Sequence, residues 1–318
     1  MYNAKQKESF IRDYTTKISV NEQARRLFDL FEPYEEQWSA DLCTRTTEEI
    51  QPVFDRIAGV RESSSHAPRT ILRGYARWCM ENGIPGATDA VMHLENAGAD
   101  RLRDRMIRNP RHLQAILDII CEPESEETAD NYVRCYCWLA YAGLGAEDAL
   151  TVEVSEVDFA EMLIHHGGRD YPIYREALPA FRNCVRLTEF RYKHPNYPDR
   201  TVWKDRIPGD ILVRGIRSVP SMAVMQVELS RRLRRANEAG KTEMRLSYYR
   251  IWLSGVFYRM YEDELAGFPA DFSSVVDEKL GDFQYKLPDK GNTQEYKRKK
   301  VAESYLSDYE RWKQTLTV

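Results

Sequence analysis

The sequence lacks any surplus of positive charge. Its 46 Lys and Arg stand against 50 Asp and Glu, a formal net charge of −4. No global positive field announces a nucleic-acid partner, so such a partner would have to be met by local basic faces. Long apolar runs are missing too: none approaches a membrane span, and the opening MYNAKQKESF is too polar for a secretory signal. The expectation is a cytoplasmic chain with no membrane partner. Common catalytic signatures are also absent. There is no phosphate-binding Gly-Lys-Ser/Thr loop, no Gly-x-Ser-x-Gly elbow and no His-Glu-x-x-His. Nothing points to a cofactor or a small-molecule substrate. Histidine is scarce, with 6 in all and none after His194. No internal repeat or low-complexity run occurs.

Cysteine is sparse as well. The 6 cysteines, at positions 43, 79, 121, 135, 137 and 184, are expected as thiols in a cytoplasmic chain. Cys135-Tyr136-Cys137 lacks the two-residue gap typical of zinc sites, and no second pair follows. His165-His166 would have to complete a site. Burial on apolar helices explains the pattern, and no metal is expected.

What is present suits a substantial core. With 42% hydrophobic and 30% charged residues over 318 positions, the chain makes one large domain or two ordinary ones. Residues 4–14, 21–34 and 47–58 read as helices, the last with Thr46 or Thr47 as N-cap and acidic residues in its first turn. Residues 63–68 read as a break before a helix over 69–81, closed by Asn82-Gly83 and Pro85. Leu72, Tyr75, Ala76 and Cys79 form its core stripe. Arg69, Arg73 and Arg77 stack four apart on an exposed side, either solvated or facing anions. Residues 87–110 read as a connector with a basic run that includes Arg101, Arg105 and Arg108. Linker cations of this kind can neutralise phosphates, and they suit an ordinary exposed helix equally.

Helices are expected again over 112–120 and 126–142, then a β-rich window at 151–157, 162–165 and 171–174 with Gly167-Gly168 as a tight turn. Residues 176–190 read as helix and 191–208 as irregular. A helix over 222–238 carries the run Arg231, Arg232, Arg234 and Arg235, and Gly240 separates it from a helix over 241–264. In that last helix Leu246, Tyr249, Leu253, Phe257, Met260 and Tyr261 recur at helical spacing, predicting one apolar face. A further helix from Phe272 reaches Leu280-Gly281-Asp282, before a tail rich in Lys, Arg, Glu and Tyr.

Several stretches resemble the tyrosine recombinases, or phage integrases. ILRGYARWCMENGIPG is similar to the end of their helical core-binding domain. Tyr141-Ala142-Gly143-Leu144-Gly145 resembles their first box, with Gly145 at the position of the first catalytic arginine. Ser247-Tyr248-Tyr249-Arg250 resembles their His-x-x-Arg, with the arginine kept and the histidine replaced. The resemblance implies a mainly α, two-lobed architecture. A helical core-binding domain over 1–86 and a linker over 87–110 would precede a helical catalytic-like domain over 111–318 with a small three-stranded sheet. Carried across, the hairpin lysine falls on His166, with Arg169 the nearest permanent cation, and the late histidine falls on Asp282. The nucleophile has Tyr296, Tyr305 and Tyr309 as candidates, the last two also explained by packing. Only Arg250 survives.

Strand transfer needs two arginines, a histidine and a proton donor around the phosphate. The reading is therefore a sequence-specific binder of double-stranded DNA on a recombinase fold, catalytically inactive. It resembles the recombinase-derived repressors that hold prophages silent. Its contacts would come from Arg69, Arg73, Arg77, Arg101, Arg105, Arg108, Arg169, Arg231, Arg234, Arg235 and Arg250, facing a common groove. A homodimer is compatible with it. Two alternatives stay open: an active, divergent recombinase using cations such as Arg169, Arg214 or Arg217, and a helical protein-interaction protein that does not bind DNA.

Overall fold

Two compact units divide the chain, Met1–Arg101 and Leu102–Val318. The computed structural model describes residues 1–57, 62–95, 100–121, 128–187, 189–194, 197–205, 210–215, 219–272, 275–276 and 294–316. The fold is mainly helical with a small three-stranded antiparallel sheet. Among the described residues no helix is long and apolar enough to cross a membrane.

The first unit is built on α1 (Ala4–Tyr14), α2 (Ile18–Trp38), α3 (Thr47–Ile57) and α4 (Glu62–Glu81). Apolar residues three and four apart on each helix meet in one core, where the Tyr75 ring packs edge-on against Phe10 at 5.2 Å and Phe28 at 5.0 Å. The expected break at 63–68 is instead the start of α4, which carries Pro68 inside it. Pro68 is the seventh residue of this helix, past the first turn where a proline is tolerated, so its missing N–H leaves one intrahelical bond unmade. Asn82-Gly83 ends α4 as expected: Gly83 takes φ 65°, and the Ile84 N–H bonds back to the Cys79 carbonyl at 3.0 Å. Of the stretch 87–110, Ala90, Val91 and Leu94 join this core, whereas Leu102, Met106 and Ile107 are buried in the second unit.

A charged group also lies inside the first unit. Lys7 and Glu35 are both fully buried and ion-paired. Glu35 accepts the Leu42 N–H at 2.9 Å, and Asp41 accepts the Tyr75 hydroxyl at 2.9 Å. Burying charge is costly unless it is paired and hydrogen-bonded, as it is here.

The second unit comprises α5 (Asp100–Arg103, which crosses the boundary), α6 (Pro110–Ile120), α7 (Thr128–Ala142), α8 (Leu178–Arg186), α9 (Met222–Glu238), α10 (Tyr248–Leu265) and α11 (Gln294–Gln314). Strands β1 (Val157–Asp158), β2 (Leu163–His166) and β3 (Arg169–Pro172) pair in sequence order, with Gly167 and Gly168 at φ 58° and 74° in the turn. A second, two-stranded sheet occupies the stretch expected to be irregular: β4 (Glu189–His194) pairs with β5 (Tyr197–Asp205). Its first residues fall at the end of the helix expected over 176–190, which stops at Arg186.

The helix expected over 241–264 starts only at Tyr248, where the Ser247 hydroxyl caps it by accepting the Arg250 N–H at 3.3 Å. It also lacks a single apolar face. Ile251, Trp252, Leu253, Ser254, Gly255, Val256 and Phe257 are all buried, so α10 is packed on every side over this stretch, while Glu262, Asp263 and Leu265 at its end are exposed.

Candidate nucleic-acid interface

The arginine stripe of α4 divides in three. Arg77 is exposed and Arg69 half-buried. Arg73 is not the solvated cation that its spacing suggested: its Nη2 donates to the carbonyls of Met92 at 2.8 Å and Leu94 at 3.3 Å. It ties the 3-10 turn Ala90–His93 to α4, and its place in the stripe is structural.

In the second unit, the two stretches that resemble the recombinase boxes come together. α7 ends at Ala142, and Gly143 turns the chain with φ 116°. The start of α10 is bonded to that turn. The Tyr248 hydroxyl donates to the carbonyls of Leu144 at 2.9 Å and Gly145 at 3.1 Å, and the Trp252 indole donates to the Gly143 carbonyl at 2.8 Å. Burial pushes the Tyr248 phenol pKa well up, so it stays a neutral donor. At Gly145, where an arginine would project, there is no side chain. Arg259 donates to the Tyr141 carbonyl at 2.9 Å. It lies nine residues beyond Arg250, on the opposite side of α10 and ~13 Å along its axis, and cannot share a ligand atom with it. The Arg250 guanidinium lies half-buried, its Nη1 4.0 Å from the Met106 sulfur.

His166 closes β2 and is paired in register with Arg169 across the turn. Both of its ring nitrogens are engaged, Nδ1 with Glu156 at 2.9 Å and Nε2 with the Thr151 hydroxyl at 3.3 Å. Arg169 is exposed. Arg214 is buried and donates to the Ile211 carbonyl. Arg217 and Asp282 lie outside the described residues; of the helix expected from Phe272 to Asp282, Val275 and Val276 are helical, with the Val276 N–H bonded to the Phe272 carbonyl at 2.9 Å, and residues 277–282 lie outside the described residues.

Of the tail tyrosines, Tyr305 and Tyr309 are core residues, whereas Tyr296 is 47% exposed. Tyr305 is buried, with its hydroxyl 3.5 Å from that of Tyr249. Tyr309 is fully buried, stacks on Trp312 and donates to Glu264 at 2.7 Å. Burial, aided by that carboxylate, raises the Tyr309 pKa far above the ordinary phenol value. Cys135 and Cys137 are buried in α7, and burial drives both thiols up, which disfavours the thiolates a metal would need.

The basic run of α9 points both ways. Arg232 turns inward and pairs with Asp130 and Glu228. Arg231 bonds Glu228 at 2.9 Å. Burial works against the Glu228 carboxylate, but hydrogen bonds from Arg231 and Arg232 prevail and hold its pKa below the usual value. Arg235 is exposed, and Arg234 lies at the edge of ion-pair distance from Glu238, 4.0 Å. Arg105 lies 3.9 Å from Asp104, Arg108 is half-buried, and the Arg101 side chain lies outside the described residues. One further cation was missed. Arg245 donates its backbone N–H to the Asp104 carbonyl at 2.6 Å, while its side chain is 60% exposed and shares an open groove with Arg234. Residues 241–247 precede α10 and are not its first turns, and Ser247 as a cap is the sequence signal that marks this.

Residues 1–81 match the family model described as MrpR, N-terminal core-binding domain. No curated protein matches. Among solved structures, the chain is similar to XerA recombinase at 9% identity and TM-score 0.38, covering 81% of this chain and 84% of that one. It is similar to a lambda integrase (75–356) dimer bound to a COC′ core site at 12% identity and TM-score 0.34, covering 91% and 99%. For the Tn1549 transposon integrase (residues 82–397) in complex with circular intermediate DNA, identity is 11% and TM-score 0.36, covering 93% and 98%.

Proposed function

We propose that this protein binds double-stranded DNA sequence-specifically, does not cut or join it, and acts as a phage or prophage repressor or regulator. The core-binding match of residues 1–81 supports a DNA partner. In the first unit Arg77 and Arg69 supply phosphate contacts. In the second, Arg105, Arg169, Arg234, Arg235, Arg245 and Arg250 do so. Such contacts give affinity and register without any catalytic constellation.

The observation that carries the inactive reading is the turn at Gly145. The position that needs a cation has no side chain, and its carbonyl is occupied by the Tyr248 hydroxyl. Losing one electrostatic donor typically costs roughly 100- to 1000-fold in rate. The reading is tested by electrophoretic shift on random duplex at two salt concentrations, followed by pulldown and sequencing of genomic fragments. Salt-sensitive binding with fragments clustering at defined sites is the expected result. No shift at low salt would favour a protein-interaction role instead.

A further inference from the structure

Away from the turn at Gly145, the three-stranded sheet brings a histidine and three carboxylates together. Val157 pairs with Ile164 and Asp158 with Leu163 across β1 and β2, while Ile164 pairs with Tyr171 and His165 with Asp170 across β2 and β3. Successive residues of a strand point to opposite faces. Ile164 is fully buried, so with Val157 and Tyr171 it marks the inner face. Asp158, His165 and Asp170 therefore share the outer face, which solvent reaches. His166, one residue on, falls on the inner side and stays with Glu156 and Thr151. The turn between β1 and β2 adds Glu161. The Asp158 Oδ1 holds this turn by accepting the N–H groups of Ala160 at 2.7 Å and Glu161 at 2.9 Å.

One nitrogen of His165 is already oriented. Its Nδ1 lies 2.7 Å from the Asp170 Oδ1, and its Nε2 lies 4.0 Å from the Glu161 Oε2. A histidine whose far nitrogen donates to a carboxylate is fixed in tautomer and ring direction, with the near nitrogen presented as a ligand. One ligand atom from each of Asp158, Glu161 and His165 lies within 4.8 Å of the others. Among the described residues this is the one set of three or more His, Cys, Asp or Glu side chains so close. His93 and Asp89, 3.4 Å apart in the first unit, belong to no such set. Two carboxylate oxygens and an imidazole nitrogen form a donor set for a divalent ion of the zinc class, with water in the remaining position. Bonds of about 2 Å put ligand atoms about 3.3 Å apart. Side chains that are exposed or half-buried beside a short turn can close by that much. The imidazole is what selects the ion, since magnesium and calcium take oxygen ligands. We infer that Asp158, Glu161 and His165 bind a divalent ion of the zinc class, with Asp170 as a positioning residue behind His165. The ion clips the β1–β2 turn to β2. The cysteines take no part, and the site does not depend on the DNA-binding reading.

The test uses the full chain, freed of metal by a chelator and titrated with zinc chloride by calorimetry. A single zinc ion per chain is the expected result, with no comparable binding of magnesium chloride. His165→Asn should abolish binding, and Asp158→Asn and Glu161→Gln should each weaken it. Asp170→Asn, which removes no ligand atom, should weaken it about 10- to 100-fold at unchanged stoichiometry. His93→Asn should leave it unaltered. Zinc should also raise the unfolding temperature of the wild type and not that of His165→Asn. With cobalt(II) as the probe, the visible absorption of the bound ion should be lost in His165→Asn and kept in Asp170→Asn. A wild type that binds no zinc overturns the inference. So does binding undiminished in His165→Asn, which would place the ion on other histidines or on thiols. Equal affinity for magnesium would reduce the site to an acidic surface and overturns it as well. If Asp170→Asn lowers stability in chelator and leaves zinc affinity unchanged, His165 and Asp170 are a surface ion pair alone, and the inference fails.

Discussion

Gly255, in the middle of α10, lies against the main chain of Tyr141 at the end of α7. A Cβ at Gly255 would come within 2.9 Å of the Tyr141 Cα, and closer still to its carbonyl carbon and oxygen. Backbone cannot rotate aside as a side chain can. Here glycine is required for space, since the helix has no positive φ at this position. The same contact sets the turn that follows, because Trp252 and Tyr248 bond the carbonyls of Gly143, Leu144 and Gly145 only at this helix separation. Gly255→Ala is therefore expected to destabilise the second unit by about 3 kcal/mol, the upper end for overpacking a core. Thermal or urea unfolding checks it, and a variant as stable as wild type would show that α10 is free to shift.

Arg73 and Arg77, one turn apart on α4, should respond differently to truncation. Arg73→Ala leaves the carbonyls of Met92 and Leu94 without their donor. It should cost about 1–3 kcal/mol of stability in the first unit. Arg77→Ala should leave unfolding unchanged and lower DNA affinity, with the salt slope falling by about 0.9 for one lost phosphate contact. Equal effects on stability would mean that neither arginine has the role given to it.

The division between these arginines marks how far the sequence could be read. Spacing located the helices of the first unit, β2, β3 and the Gly167-Gly168 turn, because each follows from local periodicity or from a φ that few residues adopt; of the strand expected over 151–157 only Val157 pairs, in β1, and Val154–Glu156 is a 3-10 turn. It misjudged what long-range packing decides. Arg73 is spaced like Arg69 and Arg77, and only the return of residues 90–94 makes it a buried tie. Arg232 sits in a run of like charges, and only Asp130 on another helix turns it inward. The β4–β5 ribbon was obscured by prolines and charge, since β pairing depends on partner strands as much as on composition. In α10 the apolar residues implied one face, whereas a helix surrounded by neighbours buries its small and polar residues too, Gly255 and Ser254 among them.

The two units should answer pH in opposite senses. Burial, then the Arg108 charge, lowers the His112 pKa from 6.5 to about 4. Between those values the unfolded chain binds more protons, so this contribution is present above 6.5 and is lost as pH falls toward 4. Burial raises Glu35 from 4.5 to about 7 in spite of Lys7. There the folded state binds more protons, so the contribution is full below 4.5 and is lost as pH rises through 7. Each is worth about 3 kcal/mol at most. His112→Asn should flatten the acid limb of stability against pH, and Glu35→Gln the neutral limb. Profiles of both variants parallel to wild type would remove both assignments.

The last prediction is that the protein forms no covalent link to DNA. Attack on a phosphodiester adds negative charge to the phosphate, and the barrier falls only if fixed cations and donors already surround it. Among the residues that resemble the recombinase boxes, Arg250 is one such cation. Gly145 offers no side chain, and the Ser247 hydroxyl is committed to capping α10. His166 is held between Glu156 and Thr151. Two of the three candidate nucleophiles fare no better, while Tyr296 is exposed. Tyr305 and Tyr309 are buried in the packing between α10 and α11, and burial with Glu264 holds the Tyr309 phenol protonated. These losses are not additive, yet each remaining group acts only on a phosphate that the others help to hold. The check is incubation with bound duplex carrying a nick near the contact, which prevents religation and accumulates any adduct, followed by denaturing electrophoresis. No adduct is expected from the wild type or from Gly145→Arg, because one restored arginine supplies neither the missing histidine nor a proton donor. A wild-type adduct that disappears in Tyr296→Phe, Tyr305→Phe or Tyr309→Phe would overturn the inactive reading, and for the two buried tyrosines would require α11 to leave its packed position during the reaction.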